Sequence, residues 1–386
     1  MPDCILHYGF PKTGSTAIQQ ALSEHLADPR FAYAHFQDPL HDRGNHSRAM
    51  ATAFSDRPEA YHTHVAEGVS TAMLVEERGR LLRRLDDEIV DLAGRTFILS
   101  NESLSFLRAG GLHRLRAFLE DRQLTARPVG YLRSVRENLE GLFVERIKHR
   151  QGSLADFLEG RPIVPHFLIT MLDRVFGREN VLLWKYDRRS FPDGCVVADF
   201  CLRLGINRPP IVNRDANRSL SLPAVRFLFA YRKVFTAPPP PGRTTIEHYS
   251  TLVTALGELA GPRFRFHPLA LAPAIHQQAT HLDWLEERAG ASLREGIDDD
   301  HEPSIRTEAD LLDFSQDSLE WLARRTDIPA ASLTRHDPRA VAGAVHRLGE
   351  IAVAEQVAAQ QQSAGLLARL GHRSSNALTS LGRRFR

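Results

Sequence analysis

The chain has 386 residues, of which 42% are hydrophobic and 25% charged, the composition of an ordinary globular protein with a sizeable core. Its formal net charge is only +2, so the overall charge indicates binding to neither nucleic acid nor a membrane surface. The three cysteines, at positions 4, 195 and 201, form no C-x-x-C pair, which argues against both a disulfide framework and a zinc site.

The first predicted elements are a strand, a loop and a helix. Residues 4–8 form an apolar run that predicts a buried strand, and a helix is expected from about Ser15 to Ala27 because apolar residues recur there at helical spacing. Asp28 and Pro29 then end the helix.

The loop at 9–16 has the glycine spacing of a nucleotide P-loop, G-x-x-x-x-G-K-[ST]. Ser15 stands where that motif has its lysine, and Lys12 lies inside the loop instead. A lysine there would approach bound phosphates from a different direction than the lysine of a nucleoside triphosphatase. The backbone N–H groups, the hydroxyl groups and the start of the helix still suit an anion. The loop therefore predicts an anion-binding site.

Five histidines lie between residues 35 and 64, in a stretch that predicts loops around a short helix at 47–54. A metal site is one interpretation of these histidines. Because they include no helical H-x-x-x-H pair and have no nearby cysteine, we expect solvated or hydrogen-bonding histidines rather than a metal site.

Three further apolar runs predict buried parallel strands, at 96–99, 129–132 and 181–184, with amphipathic helices between them. Strands that alternate with helices predict an α/β fold with a parallel sheet and right-handed crossovers. Ligands of such sheets bind outside the carboxyl ends of the strands. We therefore expect the loop at 9–16, the turn at 100–103 and Arg133 to converge on one crevice.

The second half of the chain predicts mostly helices. Four consecutive prolines, Pro238 to Pro241, predict a stiff linker. We therefore divide the chain into an α/β domain at 1–236 and a helical C-terminal region at 237–386, which we expect to pack on the core. The chain ends in the basic segment 383–386. Its alternative interpretations are the frayed end of a packed helix and a contact with a membrane surface or an acidic partner.

With these residues in place, the chain resembles the sulfotransferase family, and more narrowly the bacterial carbohydrate-type members related to the Golgi sulfotransferases. Residues 9–16 are similar to the family's loop for the 5′-phosphosulfate of 3′-phosphoadenosine 5′-phosphosulfate, with the lysine in the same interior place. Residues 131–134 are similar to the strand end whose arginine holds the donor's 3′-phosphate. The resemblance covers roughly residues 4–225. It implies a P-loop-like three-layer fold with a central parallel sheet flanked by helices.

The resemblance also implies roles for single residues. Lys12 would hold the bridging oxygen and the 5′-phosphate, and Arg133 would pair with the 3′-phosphate through its planar fork. Glu102 looks like the family's catalytic glutamate, with His46 as the reserve candidate for the general base. The remaining donor-binding positions of the loop are Pro11, Thr13, Gly14, Ser15 and Thr16. Three of these residues also have a structural interpretation: Lys12 as a turn residue, Arg133 as an ion-pair partner and Glu102 as a cap of the following segment.

One position departs from the family's pattern. The family usually has a serine eight residues after the arginine, as a second ligand of the 3′-phosphate, and this chain has Gly141 there. Gly141 leaves room for the nucleotide if Ser134 or Arg136 compensates. The alternative is that the chain has lost donor binding.

The function implied is a sulfotransferase that moves a sulfuryl group from 3′-phosphoadenosine 5′-phosphosulfate to a hydroxyl or amine of a carbohydrate, lipid or small metabolite. The region 237–386 would complete the acceptor side, and neither a metal ion nor nucleic acid is implied. The alternatives are a P-loop kinase or nucleoside triphosphatase, and a catalytically degenerate nucleotide-binding or scaffolding relative. Because the first polar turn comes by residue 9 and no apolar run reaches membrane-spanning length, we expect a cytoplasmic protein.

Overall fold

The structure is a computed structural model, which describes residues 4–10, 12–36, 44–149, 152–159, 165–210, 219–235, 243–294, 296 and 303–382. At 149, 243–249, 360 and 362–382 only the backbone is described. Pro11, the proline run at 238–241 and the basic end at 383–386 lie outside the described residues, so the predictions made for them stay predictions.

A five-stranded parallel sheet is the centre of the α/β architecture. Its strands are β1 (Cys4–Tyr8), β2 (Phe31–Tyr33), β3 (Thr96–Asn101), β4 (Ala126–Leu132) and β5 (Leu182–Lys185). They run in the order β2-β3-β1-β4-β5, and every neighbouring pair is parallel. The predicted parallel α/β sheet is therefore confirmed. Strand β2 escaped prediction because three residues are too short to show a periodic pattern.

Helices make up most of the remaining described chain. The α-helices are α1 (Ser15–His25), α2 (Ser47–Phe54), α3 (His62–Glu67), α4 (Thr71–Val90), α5 (Leu104–Glu120), α6 (Val135–His149), α7 (Leu154–Leu158), α8 (His166–Phe176), α9 (Val196–Leu204), α10 (Leu222–Val234), α11 (Arg243–Leu256), α12 (Pro268–Gln277), α13 (Ala279–Ala289), α14 (Gln316–Thr326) and α15 (Pro338–Gly382). The predicted helical character of the C-terminal region is confirmed. Among the described helices, none combines the length and the apolar surface required to cross a bilayer.

The chain divides into two compact units, each built from separate stretches of sequence. The first comprises Met1–Leu142, Gly160–Asn217 and Leu271–Asp299, and it contains the whole sheet. The second comprises Phe143–Glu159, Arg218–Ala270 and Asp300–Arg386. The sequence predicts a single boundary after residue 236, whereas the chain passes from one unit to the other several times. The assignment of a stretch to a unit depends on contacts between residues far apart in the sequence, and a local sequence pattern does not contain this information.

The core of the first unit lies against the sheet. All five residues of β1 are buried, because strands lie on both sides of it and helices cover its faces. Ile5 and Val129 pack with Ile18 of α1 and with Phe200 of α9 in one hydrophobic cluster. This packing orients α1, so the loop that precedes it is anchored at both ends.

Candidate functional site

The loop between β1 and α1 is built around the end of the central strand. Gly9 N–H donates to the Asn101 carbonyl of β3 over 3.2 Å. Thr13 folds the loop back through its hydroxyl, which donates to the Phe10 carbonyl over 2.8 Å. Lys12 has φ 62°, in the left-handed region that few residues other than glycine adopt. Such a backbone outlier in a loop that precedes a helix is typical of a functional site.

The start of α1 offers backbone donors to a ligand. Gly14 is the N-cap residue, with φ 78°, and it supplies no side-chain cap. The first intrahelical bond runs from Ile18 N–H to the Gly14 carbonyl, over 3.1 Å. The N–H groups of the preceding turn lack intrahelical acceptors, as at every helix start, and the helix dipole favours negative charge there. Thr16 is exposed on this turn, and Ser15 is buried.

Gly9 lets the loop close onto the turn after β3. A Cβ atom at position 9 would lie 2.6 Å from Ser15 Cβ and 2.9 Å from Glu102 Cγ, closer than packed carbon atoms approach. With glycine there, the Ser15 hydroxyl donates to Glu102 Oε1 over 2.7 Å. The loop and the predicted base are therefore in direct contact.

The turn that carries Glu102 is held by the start of α2. Glu102 N–H donates to the Ser47 hydroxyl oxygen over 2.9 Å, and His46 N–H donates to the Ser100 carbonyl over 2.9 Å. The Glu102 side chain is exposed, which leaves its carboxylate accessible to a substrate. Sequence reasoning missed the part of Ser47, because the contact joins residues 55 positions apart.

His46 supports this turn from behind. Its side chain has 0% exposure, Nε2–H donates to the Ala34 carbonyl over 2.9 Å, and Nδ1 accepts from Ser100 N–H over 2.9 Å. These two bonds define the neutral tautomer, and burial lowers the pKa of His46 to about 4. Since both ring nitrogens are engaged, His46 is arranged for support and Glu102 is the accessible one of the two predicted bases.

A second buried polar group connects α1 with β3 under the loop. His7 Nδ1 lies 2.8 Å from the Ser100 hydroxyl oxygen, which also accepts from Gln19 Nε2 over 3.1 Å. Burial lowers the pKa of His7 to about 3, so the imidazole is neutral at physiological pH. No sequence signal pointed to this network, because a polar residue inside an apolar run is commonplace.

Arg133 follows β4 and is only partly paired. Its side chain is 12% exposed, and Nη2–H donates to Glu137 Oε2 over 3.1 Å. The guanidinium lies 5.2 Å from the centre of the Tyr186 ring. Its Nε is buried and has no hydrogen-bond partner among the described residues. A buried donor without a partner costs about 1–3 kcal/mol, so this group is suited to receive an acceptor from a ligand.

Gly141 lies next to both Lys12 and Arg133. A Cβ atom at position 141 would lie 3.0 Å from Lys12 Cγ and 3.8 Å from Arg133 Nη1. The stem of the lysine therefore passes over the spot where a serine side chain would stand. Together with the Ser15–Glu102 contact, this confirms the predicted convergence of the 9–16 loop, the 100–103 turn and Arg133.

The two residues considered as substitutes for a serine at position 141 are both buried. Arg136 donates from Nε to Glu140 over 3.2 Å and from Nη1 to the Gly296 carbonyl over 2.6 Å. The carbonyl of Ser134 accepts from Asn138 N–H in the first turn of α6. Arg136 is thus committed to an internal ion pair, and Arg133 is the arginine with an unfilled donor.

Among the described residues, histidine, cysteine, aspartate and glutamate side chains nowhere form a group of three that could hold a metal ion. No family model, no curated protein and no solved structure matches the chain. The chemistry of the site is therefore the only guide to the function of the chain.

Proposed function

We propose that the chain is a sulfotransferase with a P-loop-like fold. It moves a sulfuryl group from 3′-phosphoadenosine 5′-phosphosulfate to a hydroxyl or amine of a carbohydrate, lipid or small metabolite. The observation that carries the proposal is the convergence of Lys12, Arg133 and Glu102 around a glycine-bracketed loop at one edge of a parallel sheet.

The two cationic groups fit a donor with an anion at each end. The ammonium of Lys12 and the N–H groups at the start of α1 suit the 5′ end, where they would neutralise phosphate and sulfate oxygens. Arg133, whose Nε has no hydrogen-bond partner within the described part of the chain, suits the 3′-phosphate with its planar fork. Lys12 inside the loop, rather than after Gly14, disfavours a nucleoside triphosphatase.

The chemistry required of the protein is positioning, charge stabilisation and transfer of one proton. When bound, the donor supplies a sulfuryl group joined to its 5′-phosphate through a bridging oxygen. Lys12 stabilises the negative charge that grows on that oxygen as its bond to sulfur breaks. Glu102 accepts the proton that the acceptor hydroxyl or amine loses as it bonds to sulfur.

Calorimetric titration tests the proposal with adenosine 3′,5′-bisphosphate, the product nucleotide, against ATP with magnesium. We expect the wild-type chain to bind the bisphosphate in preference to magnesium–ATP, and Lys12→Ala and Arg133→Ala each to weaken that binding at least tenfold, because each removes a charge-assisted contact. The matched control is Arg189→Ala, which removes an exposed arginine paired with Asp187.

A preference for magnesium–ATP would replace the proposal with the kinase or triphosphatase alternative. Failure to bind either nucleotide would favour the degenerate relative.

A further inference from the structure

Glu137 contacts the very group that we propose to bind the 3′-phosphate. The two side chains lie four residues apart at the start of α6, with Arg133 Nη2 and Glu137 Oε2 separated by 3.1 Å. Arg133 is 12% exposed and Glu137 28% exposed, so water screens the contact only in part. A carboxylate of the chain therefore already occupies one of the positions at which this guanidinium would bind an anion.

Glu137 has a second arginine within electrostatic reach. The Tyr186 ring lies beside Arg133, and the Tyr186 hydroxyl oxygen accepts from Arg188 Nε over 3.2 Å. This hydrogen bond, together with the nearby charge of Glu137, raises the pKa of Arg188. Glu137 is itself 28% exposed, so a carboxylate displaced from Arg133 would meet water. Release of Glu137 from Arg133 therefore does not strand a buried charge.

We infer that Glu137 is an internal competitor for Arg133, which lowers the affinity of the site for 3′-phosphorylated nucleotides and speeds the release of the product. The inference rests on the proposed function. A phosphate that binds the Arg133 fork through Nη2 must break the contact with Glu137, so the affinity is reduced by the strength of that contact. A nucleotide without a 3′-phosphate does not meet this competitor.

The competition has a kinetic reason. In many enzymes, the release of product limits turnover. A nucleotide held at one end by Lys12 and at the other by Arg133 would leave slowly, because most differences in affinity at one site appear in the dissociation rate. A carboxylate that re-forms its ion pair with the Arg133 guanidinium assists the dissociation of the nucleotide.

The test compares adenosine 3′,5′-bisphosphate with adenosine 5′-monophosphate by calorimetry on the full chain. We expect Glu137→Gln to bind the bisphosphate roughly twofold to fivefold more tightly, the value of a partly exposed ion pair, with unchanged affinity for the monophosphate. Glu137→Asp, which keeps the charge but shortens the reach, should show the same change to a smaller extent. Glu145→Gln is the control, because it removes a charge paired with Lys148 on the same helix.

A double-mutant cycle shows whether Glu137 acts through Arg133. If it does, Glu137→Gln has no effect on bisphosphate binding in a chain that also carries Arg133→Ala. Suppose that the wild-type chain binds the bisphosphate and that Glu137→Gln binds it equally or more weakly. This result overturns the inference and leaves the proposed function intact. Binding by Glu137→Gln alone would support the inference in its strongest form. Binding by neither chain would overturn both.

Discussion

Glu102 and Glu137 occupy equivalent situations at the two ends of the proposed nucleotide site. Glu102 accepts from the Ser15 hydroxyl over 2.7 Å, and Glu137 accepts from Arg133 over 3.1 Å. In each case a carboxylate of the chain accepts a hydrogen bond from a protein group that we propose to bind the ligand. Binding of the phosphosulfate donor at Ser15 would release Glu102 from this hydrogen bond, so Ser15 would couple occupancy of the loop to the proposed general base.

The role of Glu102 is testable by an isosteric change. We expect Glu102→Gln to keep the affinity for adenosine 3′,5′-bisphosphate and to slow sulfuryl transfer by roughly 10²–10⁴-fold, since the amide cannot accept the acceptor's proton. Calorimetry measures the first quantity, and single-turnover transfer from the phosphosulfate donor measures the second. Turnover equal to that of the wild-type chain would dismiss Glu102 as the base.

Gly141 trades helix stability for room. Glycine inside a helix is less favourable than alanine by roughly 0.5–1 kcal/mol, yet a Cβ atom here would lie 3.0 Å from Lys12 Cγ. Because Lys12 is exposed and its side chain is flexible, the lysine can shift by a few tenths of an ångström. We therefore expect Gly141→Ala to raise the free energy of unfolding by up to about 1 kcal/mol and to weaken bisphosphate binding severalfold.

The control for this change is Gly343→Ala, at a position of α15 where a Cβ atom would have none of the described atoms within 4 Å. It should give the gain in stability, measured by denaturant unfolding, without the loss of affinity. If Gly141→Ala bound the bisphosphate as well as Gly343→Ala does, the contact with Lys12 would have no part in binding.

At the scale of elements, two buried histidines tie the ends of β1, β3 and α2 together, and they make this region sensitive to acid. The pKa of His46 is about 4 and that of His7 about 3, both below the value of 6.5 expected in the unfolded chain, because burial disfavours the charged form. Their contribution to stability is therefore complete above pH 6.5 and is lost as the pH falls through the window from 6.5 towards 4.

We expect the free energy of unfolding to decrease across this window by on the order of 1 kcal/mol per pH unit for each histidine. His46→Gln should be less stable than the wild-type chain at pH 7.5, because it loses one of the two ring contacts, but its stability should depend less steeply on pH. Urea unfolding at pH 7.5, 6.5 and 5.5 measures the slope. The exposed His113→Gln is the control. A slope as steep in His46→Gln as in the wild-type chain would contradict the assignment.

Many elements were predictable because their signals are local. The helix expected at 47–54 is observed at Ser47–Phe54, and the apolar run at 96–99 lies in β3. An amphipathic helix is likewise expected before the strand at 96–99, and it is observed at Thr71–Val90. Strand β2 forms only by pairing with β3, over three residues.

At the scale of the whole molecule, the two compact units cut across the predicted division of the chain. The first unit includes residues 271–299, which the predicted division places in the C-terminal region at 237–386. Within this unit, Val135 N–H at the start of α6 donates to the Leu293 carbonyl over 2.9 Å. The proline run marked a change of composition, and composition does not specify which distant segments pack together.

The parallel α/β class and the meeting of the 9–16 loop, the 100–103 turn and Arg133 could be predicted from the amino-acid sequence alone. These follow from local chemistry, since apolar runs form buried strands and the carboxyl ends of parallel strands share one edge of the sheet. Only the tertiary structure decided that His46 supports the turn of Glu102, that Lys12 passes over Gly141, and that Glu137 holds Arg133. Such contacts depend on strand order, helix orientation and side-chain packing, which arise from the whole chain at once.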